Sequence, residues 1–469
     1  MTLSLYDSKS QALRAFQPIA PGRVGIYVCG PTVQGAPHVG HLRSALVYDI
    51  LRRWLEATGN KVTLVRNVTD IDDKVLENAK ASGDNWWALA YRFEQEFNVA
   101  YRKIGIQSPT YEPRATGAIP EMLEIIDRLI ARGYAYATED GSVYFESSKW
   151  ASYGELTNQK LEDMEAGETG EQGKRNAQDF ALWKAAKSGE PESAAWDSRF
   201  GRGRPGWHIE CSAMSTKYLG SNFDIHGGGL DLRFPHHENE LAQSTAAGDA
   251  FANYWIHNAL VNVSGQKMSK SLGNSIYATD LFEKGSGLAV RYYLGSAHYR
   301  SVLDYHDGVL DEATTAVGRI ETFLKRGIRE LSFDKNLLSL VPNFPAKFAE
   351  AMNDDLNLPI ALGVIHETVR EGNAAFDSKD VNAARESFVS VLGMTNILGI
   401  NPLDGTWGSA SANEAEHQAL DTLIQSLIEE RNAARAAKDF AKADQLRDLI
   451  SAAGITLEDA ADQTHWSVD

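Results

Sequence analysis

The sequence predicts an α/β protein in which a domain with a parallel sheet and an insertion precedes an α-helical bundle and a small C-terminal domain. Strand-like and helix-like segments alternate between residues 23 and 67, as in a βαβ unit of a parallel sheet. Beyond Asp311, long helical patterns punctuated by prolines predict the bundle. The length of 469 residues also suggests two to four domains rather than one.

Composition narrows the class of protein. The 46 basic and 63 acidic residues give a formal net charge of −17, which argues against a protein that coats nucleic acid by bulk charge. Two cysteines are too few for a disulfide scaffold. The N-terminus lacks the basic and apolar regions of a signal peptide, and no long apolar run occurs, so we expect a cytoplasmic protein without a membrane segment.

The stretch Cys29–His41 reads CGPTVQGAPHVGH and joins a predicted strand, Arg23–Val28, to a predicted helix, Leu42–Ala57. Open α/β sheets bind ligands at such crossings. His38 and His41 fall at the helix start, where free N–H groups and the helix dipole favour anions, so their imidazoles could donate to phosphate oxygens. The alternative is a glycine-rich turn whose histidines are only solvated.

Three glycines of this stretch leave the backbone bare, so that a flat group can lie against it. They are Gly30, Gly35 and Gly40. A second predicted strand, Lys61–Asn67, completes the βαβ unit, and three carboxylates follow it: Asp70, Asp72 and Asp73. We expect these to be an acidic helix start without a metal, since Asp favours the first turn of a helix.

The middle of the chain is predicted to leave the sheet and return to it. The expected segments are helices at 85–104 and 118–132, a strand at 141–145, a polar loop or mobile insertion at 162–177, a loop at 201–205, a helix at 207–219 and a strand at 222–226.

The C-terminal third is predicted to be helical. Bundle helices are expected at 311–325, 344–353, 358–371 and 381–398, a linker at 405–412 and helix again at 414–453. In one continuous helix, Arg431, Arg435, Lys438 and Lys442 would align in a basic stripe that can follow phosphates. The alternative is a solvated face, and Asp439 could break the helix.

Four residues of metal-binding types lie near predicted strand and helix ends. His236 and Glu240 are spaced i and i+4, so on a helix both face one side and can grip one ion. Cys211 lies on a nearby segment, and Cys29 ends the first strand. Two thiolates, an imidazole and a carboxylate would make a zinc site for one ion per chain. The alternative is two buried cysteines that behave as small hydrophobic residues beside a solvated acidic helix.

Two further motifs suit a nucleotide. Lys267 and Lys270 lie three residues apart in KMSKS, within a loop flanked by glycine, and can reach phosphates as point charges. The run His226–Asp231 reads HGGGLD; Gly229 allows close approach of a base, and Asp231 can accept ribose hydroxyls. A solvated lysine turn and an ordinary glycine loop are the alternatives.

The motifs together resemble those of a known family. HVGH at residues 38–41 resembles the HIGH motif of class I aminoacyl-tRNA synthetases with Val in place of Ile, and KMSKS matches their second motif without a departure. The four metal-binding residues match, position by position, the zinc ligands of cysteinyl-tRNA synthetases. The chain is similar to that family from about Tyr27 to Trp466.

The resemblance implies a Rossmann-type catalytic domain that ligates L-cysteine to tRNA(Cys) through a cysteinyl-adenylate, with Mg²⁺ accompanying ATP and Zn²⁺ holding the substrate thiolate. His208 and His237 could support the metal ligands. The implied site residues are His38, His41, Lys267 and Lys270 for catalysis; Gly40, His41, Gly229, Asp231, Lys267 and Lys270 for ATP; Thr69 and Trp207 for the amino acid; and Cys29, Cys211, His236 and Glu240 for zinc.

The implied domains are two halves of the catalytic domain (1–117 and 205–262), a connective insertion (118–204), a KMSKS and stem-contact region (263–310), an anticodon-side bundle (311–408) and a C-terminal anticodon-binding domain (409–469). A ligase that joins cysteine to an aminosugar is an alternative, since it would share the catalytic half. It would not need residues 414–469. A non-catalytic RNA-binding relative would have no use for two phosphate-reaching lysines.

Overall fold

The computed structural model describes residues 2–161, 173–268, 273–331, 344–407, 411–459 and 464–468. The chain forms two compact units, Met1–Pro402 and Leu403–Asp469. Most of the polar stretch expected at 162–177 lies outside the described residues. None of the described helices is both long enough and apolar enough to cross a membrane.

The strands and α-helices of the first unit follow one another along the chain, with the numbering used below. They are β1 (Ser4–Asp7), β2 (Ala12–Ala15), β3 (Arg23–Val28), α1 (Val39–Ala57), β4 (Lys61–Arg66), α2 (Asp73–Ser82), α3 (Trp86–Lys103), α4 (Ile119–Ala131), β5 (Ala135–Ala137), β6 (Val143–Phe145), β7 (Phe180–Ala185), β8 (Gly203–Pro205), α5 (Trp207–Leu219), β9 (Asn222–Gly229), α6 (Glu238–Ala247), β10 (Phe251–Asn258), β11 (Val261–Val263), β12 (Gln266–Lys267), α7 (Ala278–Lys284), α8 (Gly287–Leu294), β13 (Leu303–Tyr305), α9 (Val309–Glu330), α10 (Ala346–Asn353), α11 (Leu358–Asp377) and α12 (Val381–Leu398).

A four-stranded sheet in the order β10-β9-β3-β4 forms the centre of the first unit, and all of its pairings are parallel. The predicted βαβ unit is therefore confirmed as β3, α1 and β4. Helix α1 begins at Val39, earlier than expected, because the HVGH histidines form a capping box at its N-terminus. Since the strands are parallel, their carboxyl ends meet at one edge, where Cys29, Asn67, Gly229 and Asn258 lie together.

The insertion between α4 and α5 contains a second, antiparallel sheet in the order β5-β6-β7-β8. The loop expected at 201–205 is wrong over its second half, since Gly203–Pro205 forms strand β8. The glycine there has no room for a side chain: a Cβ on Gly203 would lie 2.3 Å from the Lys184 carbonyl oxygen. Gly203 therefore allows the close approach of the two backbones at the end of β7.

Two of the three acidic residues after β4, Asp72 and Asp73, form a helix start, as expected, whereas Asp70 lies before it and accepts from the Thr116 N–H and hydroxyl. The Asp72 carboxylate caps α2 by accepting from the Lys74 N–H at 3.0 Å. The Asp73 carboxylate pairs with Lys184 Nζ at 3.0 Å and with the buried Arg204 guanidinium, so α2 is tied to strands β7 and β8 of the insertion.

The small three-stranded sheet β12-β11-β13 follows the parallel sheet and carries Lys267 at the end of β12. The predicted bundle then forms from α9 to α12, with α11 packed against α12, α10 and α9. Two of its helices extend beyond the expected ends, to Glu330 and Asp377.

The second unit contains α13 (Ser411–Ala436), α14 (Phe440–Ala452) and an antiparallel pair, β14 (Ile455–Asp459) and β15 (Thr464–Val468). Its core consists of Ile424, Ile428, Ile450 and Ile455.

The region 414–453 is helical as expected, but it is divided into α13 and α14, so the continuous helix that the basic stripe would need does not form. Lys438 has a φ of 62° between the two helices, and the Asp439 carboxylate caps α14 by accepting from the Lys442 N–H. Arg431 is also only 5% exposed, so it cannot present its charge on an open surface. Asp439 thus breaks the stripe by capping, a role that Asp favours over the helix interior.

Candidate metal centre and active site

A cleft of about 450 Å³ opens at the carboxyl edge of the parallel sheet. Its wall contains nine of the residues singled out from the sequence: Cys29, Gly30, His38, Gly40, His41, Trp207, Gly229, Asp231 and Lys267. Residues separated by more than two hundred positions therefore face one space, as expected of the strand ends in an open α/β sheet.

The four expected metal donors meet at one side of this cleft. The donor atoms of Cys29, Cys211, His236 and Glu240 all lie within 4.8 Å of one another. Glu240 Oε1 lies 3.0 Å from His236 Nε2 and 3.4 Å from Cys29 Sγ. The two sulfurs are 3.5 Å apart. Two sulfurs, an imidazole nitrogen and a carboxylate oxygen fit Zn²⁺ by donor type and number.

Two of the four donors favour the anionic form, whereas burial raises the pKa of the Cys29 thiol, and Glu240 and Cys211 outweigh burial and raise the pKa of His236 to about 10. Burial raises the pKa of Cys211, but the hydrogen bond from Cys29 Sγ and the neighbouring His236 outweigh it and lower the pKa to about 6. Burial also raises the pKa of Glu240, and its pairing with His226 and His236 holds that pKa well below its usual value. A thiolate and a carboxylate, the forms that ligate metals, are thus the favoured ones at neutral pH.

A second donor set overlaps the first. Cys29, His226, His237 and Glu240 also bring their donor atoms within 4.8 Å. The two sets share Cys29 and Glu240, so geometry alone leaves two neighbouring positions for one ion. Only the first set contains both cysteines, and thiolates are the donors that best favour zinc.

His226 was missed as a partner of the metal donors. It lies fully buried on β9, and its Nε2 is 2.8 Å from Glu240 Oε2. His226 pairs in register with Tyr27, which lies two residues before Cys29. The sequence could not show that His226 is close to Cys29, because this depends on the order of strands in the sheet. His208 has the supporting position expected of it, with Nδ1 3.0 Å from His236 Nδ1.

Asn67 was also missed, and it gives a second reason for a glycine at position 30. Its Oδ1 accepts from the Gly30 N–H at 2.9 Å and lies 3.7 Å from Cys211 Sγ. A Cβ on Gly30 would lie 1.6 Å from the Asn67 carbonyl oxygen. Gly30 therefore makes room for Asn67, and because it also lines the cleft, a flat group lying against it stays a prediction.

The two expected amino-acid contacts lie at different depths. Trp207 lines the cleft and stacks on His236, with ring centroids 4.2 Å apart. Thr69 is only 2% exposed, and its hydroxyl donates to Glu210 Oε2 at 2.9 Å. The Thr69 hydroxyl is therefore held within the wall beside Asn67, whose Nδ2 donates to it at 3.3 Å.

The HVGH histidines stack at the N-terminus of α1, with ring centroids 3.6 Å apart. His41 Nδ1 accepts from the His38 N–H at 3.1 Å, which fixes the ring over the helix start. The next N–H, that of Val39, donates to the Ile276 carbonyl beyond the KMSKS loop. Lys267 lies exposed at the entrance of this side of the cleft, while Lys270 lies outside the described residues.

Comparison with known families divides the chain into three matches. Residues 15–315 match the tRNA synthetases class I (C) catalytic domain, residues 347–401 the DALR domain and residues 417–466 the cysteinyl-tRNA ligase anticodon binding domain. The chain is 59% identical to the cysteine–tRNA ligase of Leifsonia xyli subsp. xyli and 58% identical to that of Clavibacter michiganensis subsp. michiganensis. Both alignments cover 100% of each chain.

Solved structures of lower identity share the fold. The chain resembles a Mycobacterium tuberculosis methionyl-tRNA synthetase in complex with methionyl-adenylate, with a TM-score of 0.57 and 18% identity over 81% of this chain and 90% of that one. It also resembles the ternary complex of Agrobacterium radiobacter K84 agnB2 LeuRS, with a TM-score of 0.58 and 10% identity over 82% and 84% of the two chains.

Proposed function

The chain belongs to the cysteine–tRNA ligases, a family of class I aminoacyl-tRNA synthetases, and from that membership we propose that it uses ATP to join L-cysteine to tRNA(Cys). The observation that carries the substrate choice is the convergence of Cys29, Cys211, His236 and Glu240 beside the nucleotide-type cleft. Protein synthesis on ribosomes takes place in the cytoplasm, where we expect the enzyme to act.

The reaction has two balanced steps. The cysteine carboxylate attacks the α-phosphorus of ATP in line, giving cysteinyl-adenylate and releasing pyrophosphate. A hydroxyl of the terminal adenosine of the tRNA then attacks the cysteinyl carbonyl carbon, forming the ester and releasing AMP. Neither step requires a covalent intermediate with the protein.

We propose that the two ends of the cleft act on different parts of ATP. The stacked His38 and His41 donate to the charged α-phosphate at the N-terminus of α1, where the helix dipole favours developing negative charge. Lys267 and Lys270 neutralise the β- and γ-phosphates, together with the Mg²⁺ that accompanies ATP. Gly40 and Gly229 leave backbone for close contact, and Asp231 accepts the ribose hydroxyls.

Selection of cysteine is proposed to depend on one Zn²⁺ held by Cys29, Cys211, His236 and Glu240. Such an ion would supply a soft site for the substrate thiolate, which a serine hydroxyl at neutral pH does not match. Shape alone discriminates similar side chains by only about 1–3 kcal/mol, so a pocket without this donor chemistry would confuse serine with cysteine. Trp207 supports this choice, since it lines the same cleft and stacks on His236.

Two assays test the proposal. Exchange of labelled pyrophosphate into ATP should require L-cysteine and should not proceed with L-serine. The full-length protein should also charge a tRNA(Cys) transcript with cysteine. Exchange without charging would favour the aminosugar ligase, and absence of both activities would contradict the proposed function.

A further inference from the structure

Arg43 is a buried arginine on α1, two residues after His41. Its side chain is 1% exposed, and its guanidinium donates to four backbone carbonyls. Nη1 lies 2.7 Å from the Leu260 oxygen and 3.2 Å from the Ala259 oxygen. Nη2 donates to the oxygens of His298 and Ser301.

The four carbonyls belong to the two segments that lead into the small sheet. Residues 259–260 line the cleft and lead from β10 into β11, whereas residues 298–301 lead into β13. Strands β11 and β13 pair in parallel, and β12, which ends at Lys267, is paired to β11. Arg43 therefore ties both segments of the sheet that carries Lys267 to the helix that carries the HVGH histidines.

A contribution to the stability of the fold does not by itself explain a buried guanidinium at position 43. Among the described residues, no carboxylate forms an ion pair with Arg43, and burial lowers its pKa to about 10. A buried cation that binds only neutral carbonyls is costly to desolvate, because no opposite charge compensates it. What the planar guanidinium supplies is geometry, because its fork of donors can hold two separate segments at fixed distances.

The outer segment is also held from the bundle side. Tyr299 Oη and Arg300 Nε each donate to the Asp355 carboxylate at 2.6 Å, and the Tyr6 N–H donates to it at 2.8 Å. Asp355 lies between α10 and α11 of the bundle. Segment 298–301 thus lies between a bundle carboxylate on one side and Arg43 on the other.

We propose that Arg43 is a positioning residue for ATP: it sets the distance between the His38–His41 helix start and the hairpin that carries Lys267. The activity test of this proposal rests on the proposed function, whereas its test by amide exchange does not. Arg43 contacts no substrate in this scheme. It keeps the phosphate-binding groups of two distant segments in register, and misplacement of such groups by about 1 Å can cost about a hundredfold in rate.

Arg43→Lys tests the proposal, because it keeps the charge and removes the fork. Pyrophosphate exchange should fall about ten- to a hundredfold at saturating cysteine, with a raised KM for ATP. Cysteine binding, measured by equilibrium dialysis, should stay within about twofold of the parent since no metal donor contacts Arg43. Independently of activity, amide exchange in residues 261–268 should become faster.

Arg291→Lys is the matched control. Arg291 is also buried, and it donates to the carbonyls of Leu398, Ile104 and Gly105 and to Asp49, none of which lines the cleft. This variant should lose thermal stability and keep the KM for ATP. Equal effects of the two variants on KM, or an unchanged exchange rate and unchanged amide protection in Arg43→Lys, would overturn the proposal.

Asp355→Asn supplies a second measurement should Arg43→Lys fail to fold. It weakens the outer hold on segment 298–301 and should raise the KM for ATP above that of the parent without changing cysteine binding. An unchanged KM in this variant, with faster exchange confined to 298–301, would also count against the proposal. A parent protein without cysteine-dependent exchange would refute the proposed function instead, and the amide protection of 261–268 would still decide the role of Arg43.

Discussion

Glu240 lies between two histidines and a thiol, and its surroundings show what residue types alone could predict. His236 lies four residues before Glu240, so helical spacing predicted that the two side chains lie on the same face. His226 lies on another strand and binds the second carboxylate oxygen. Its position depends on the order of strands in the sheet, which is a long-range property, and HGGG was therefore interpreted only as a nucleotide loop.

His236→Gln is expected to reduce bound zinc from about one ion per chain to a small fraction of that, by the ligand count. Cysteine binding should weaken by more than about tenfold, because loss even of a residue that only orients a ligand costs about 10–100-fold in metal affinity. Binding of ATP should change little. Metal analysis of the purified protein and equilibrium dialysis with each substrate measure these effects.

His366→Gln is the control for this substitution. His366 is a half-buried histidine on α11 that bonds to the Tyr292 hydroxyl at 2.7 Å and belongs to neither candidate donor set. It should keep the zinc content of the parent. Parent protein purified without zinc, or a zinc content equal in the two variants, would contradict the assignment of the metal centre.

Among the secondary-structure elements, those with periodic sequences were predicted well, whereas the strand that depends on close packing of two backbones was not. The strand at Arg23–Val28 and the helix at 381–398 have the expected ends because period and caps are local signals. Strand β8 was missed because GRGRP has loop composition, and only its pairing with β7 makes it a strand. The break at Asp439 depended on a competition between capping and helix continuation, which the sequence left open.

Asp73→Asn should loosen the insertion from α2. The carboxylate pairs with Lys184 and Arg204, but its side chain is 40% exposed, so we expect a loss of only about 1–2 kcal/mol in the opening free energy of β7 and β8. Native-state hydrogen exchange of Phe180–Ala185 measures it. Asp84→Asn, which breaks an exposed pair with Arg92, should change the same quantity by less than about 0.5 kcal/mol.

The pH dependence of this ion pair has a defined sign. Burial raises the pKa of Asp73, but Lys184 and Arg204 outweigh it and lower the pKa to about 2. A carboxylate with a lower pKa in the folded state stabilises it above the unfolded value of about 3.9 and loses that contribution as the pH falls toward 2. The stability difference between the parent and Asp73→Asn should therefore shrink on acidification below pH 4. A difference that is constant from pH 6 to pH 2.5 would show that the charge is not responsible.

At the scale of the whole molecule, a net charge of −17 must be reconciled with binding a polyanion. The basic stripe that was expected to solve this does not form, because Asp439 divides α13 from α14 and Arg431 is buried. The proposed metal donors and the described residues proposed to bind phosphate nevertheless all lie within Met1–Pro402. The second unit has a hydrophobic core of its own, so the two activities of the proposed reaction can be separated along the chain.

A protein that ends at Pro402 should therefore keep cysteine-dependent pyrophosphate exchange within about twofold, since none of the proposed activation residues is removed. Aminoacylation should fall through weaker tRNA binding, because residues 417–466 match an anticodon binding domain. For every tRNA phosphate that the second unit neutralises, its removal should reduce the slope of log affinity against log salt concentration by nearly one. A salt titration of tRNA binding, run beside the full-length chain, measures that slope.

If the shortened protein binds and charges tRNA as well as the full chain, with an unchanged slope, the second unit has no part in tRNA recognition. The surfaces that bind the nucleic acid would then lie entirely within the first unit, as local basic patches on a protein that is acidic as a whole.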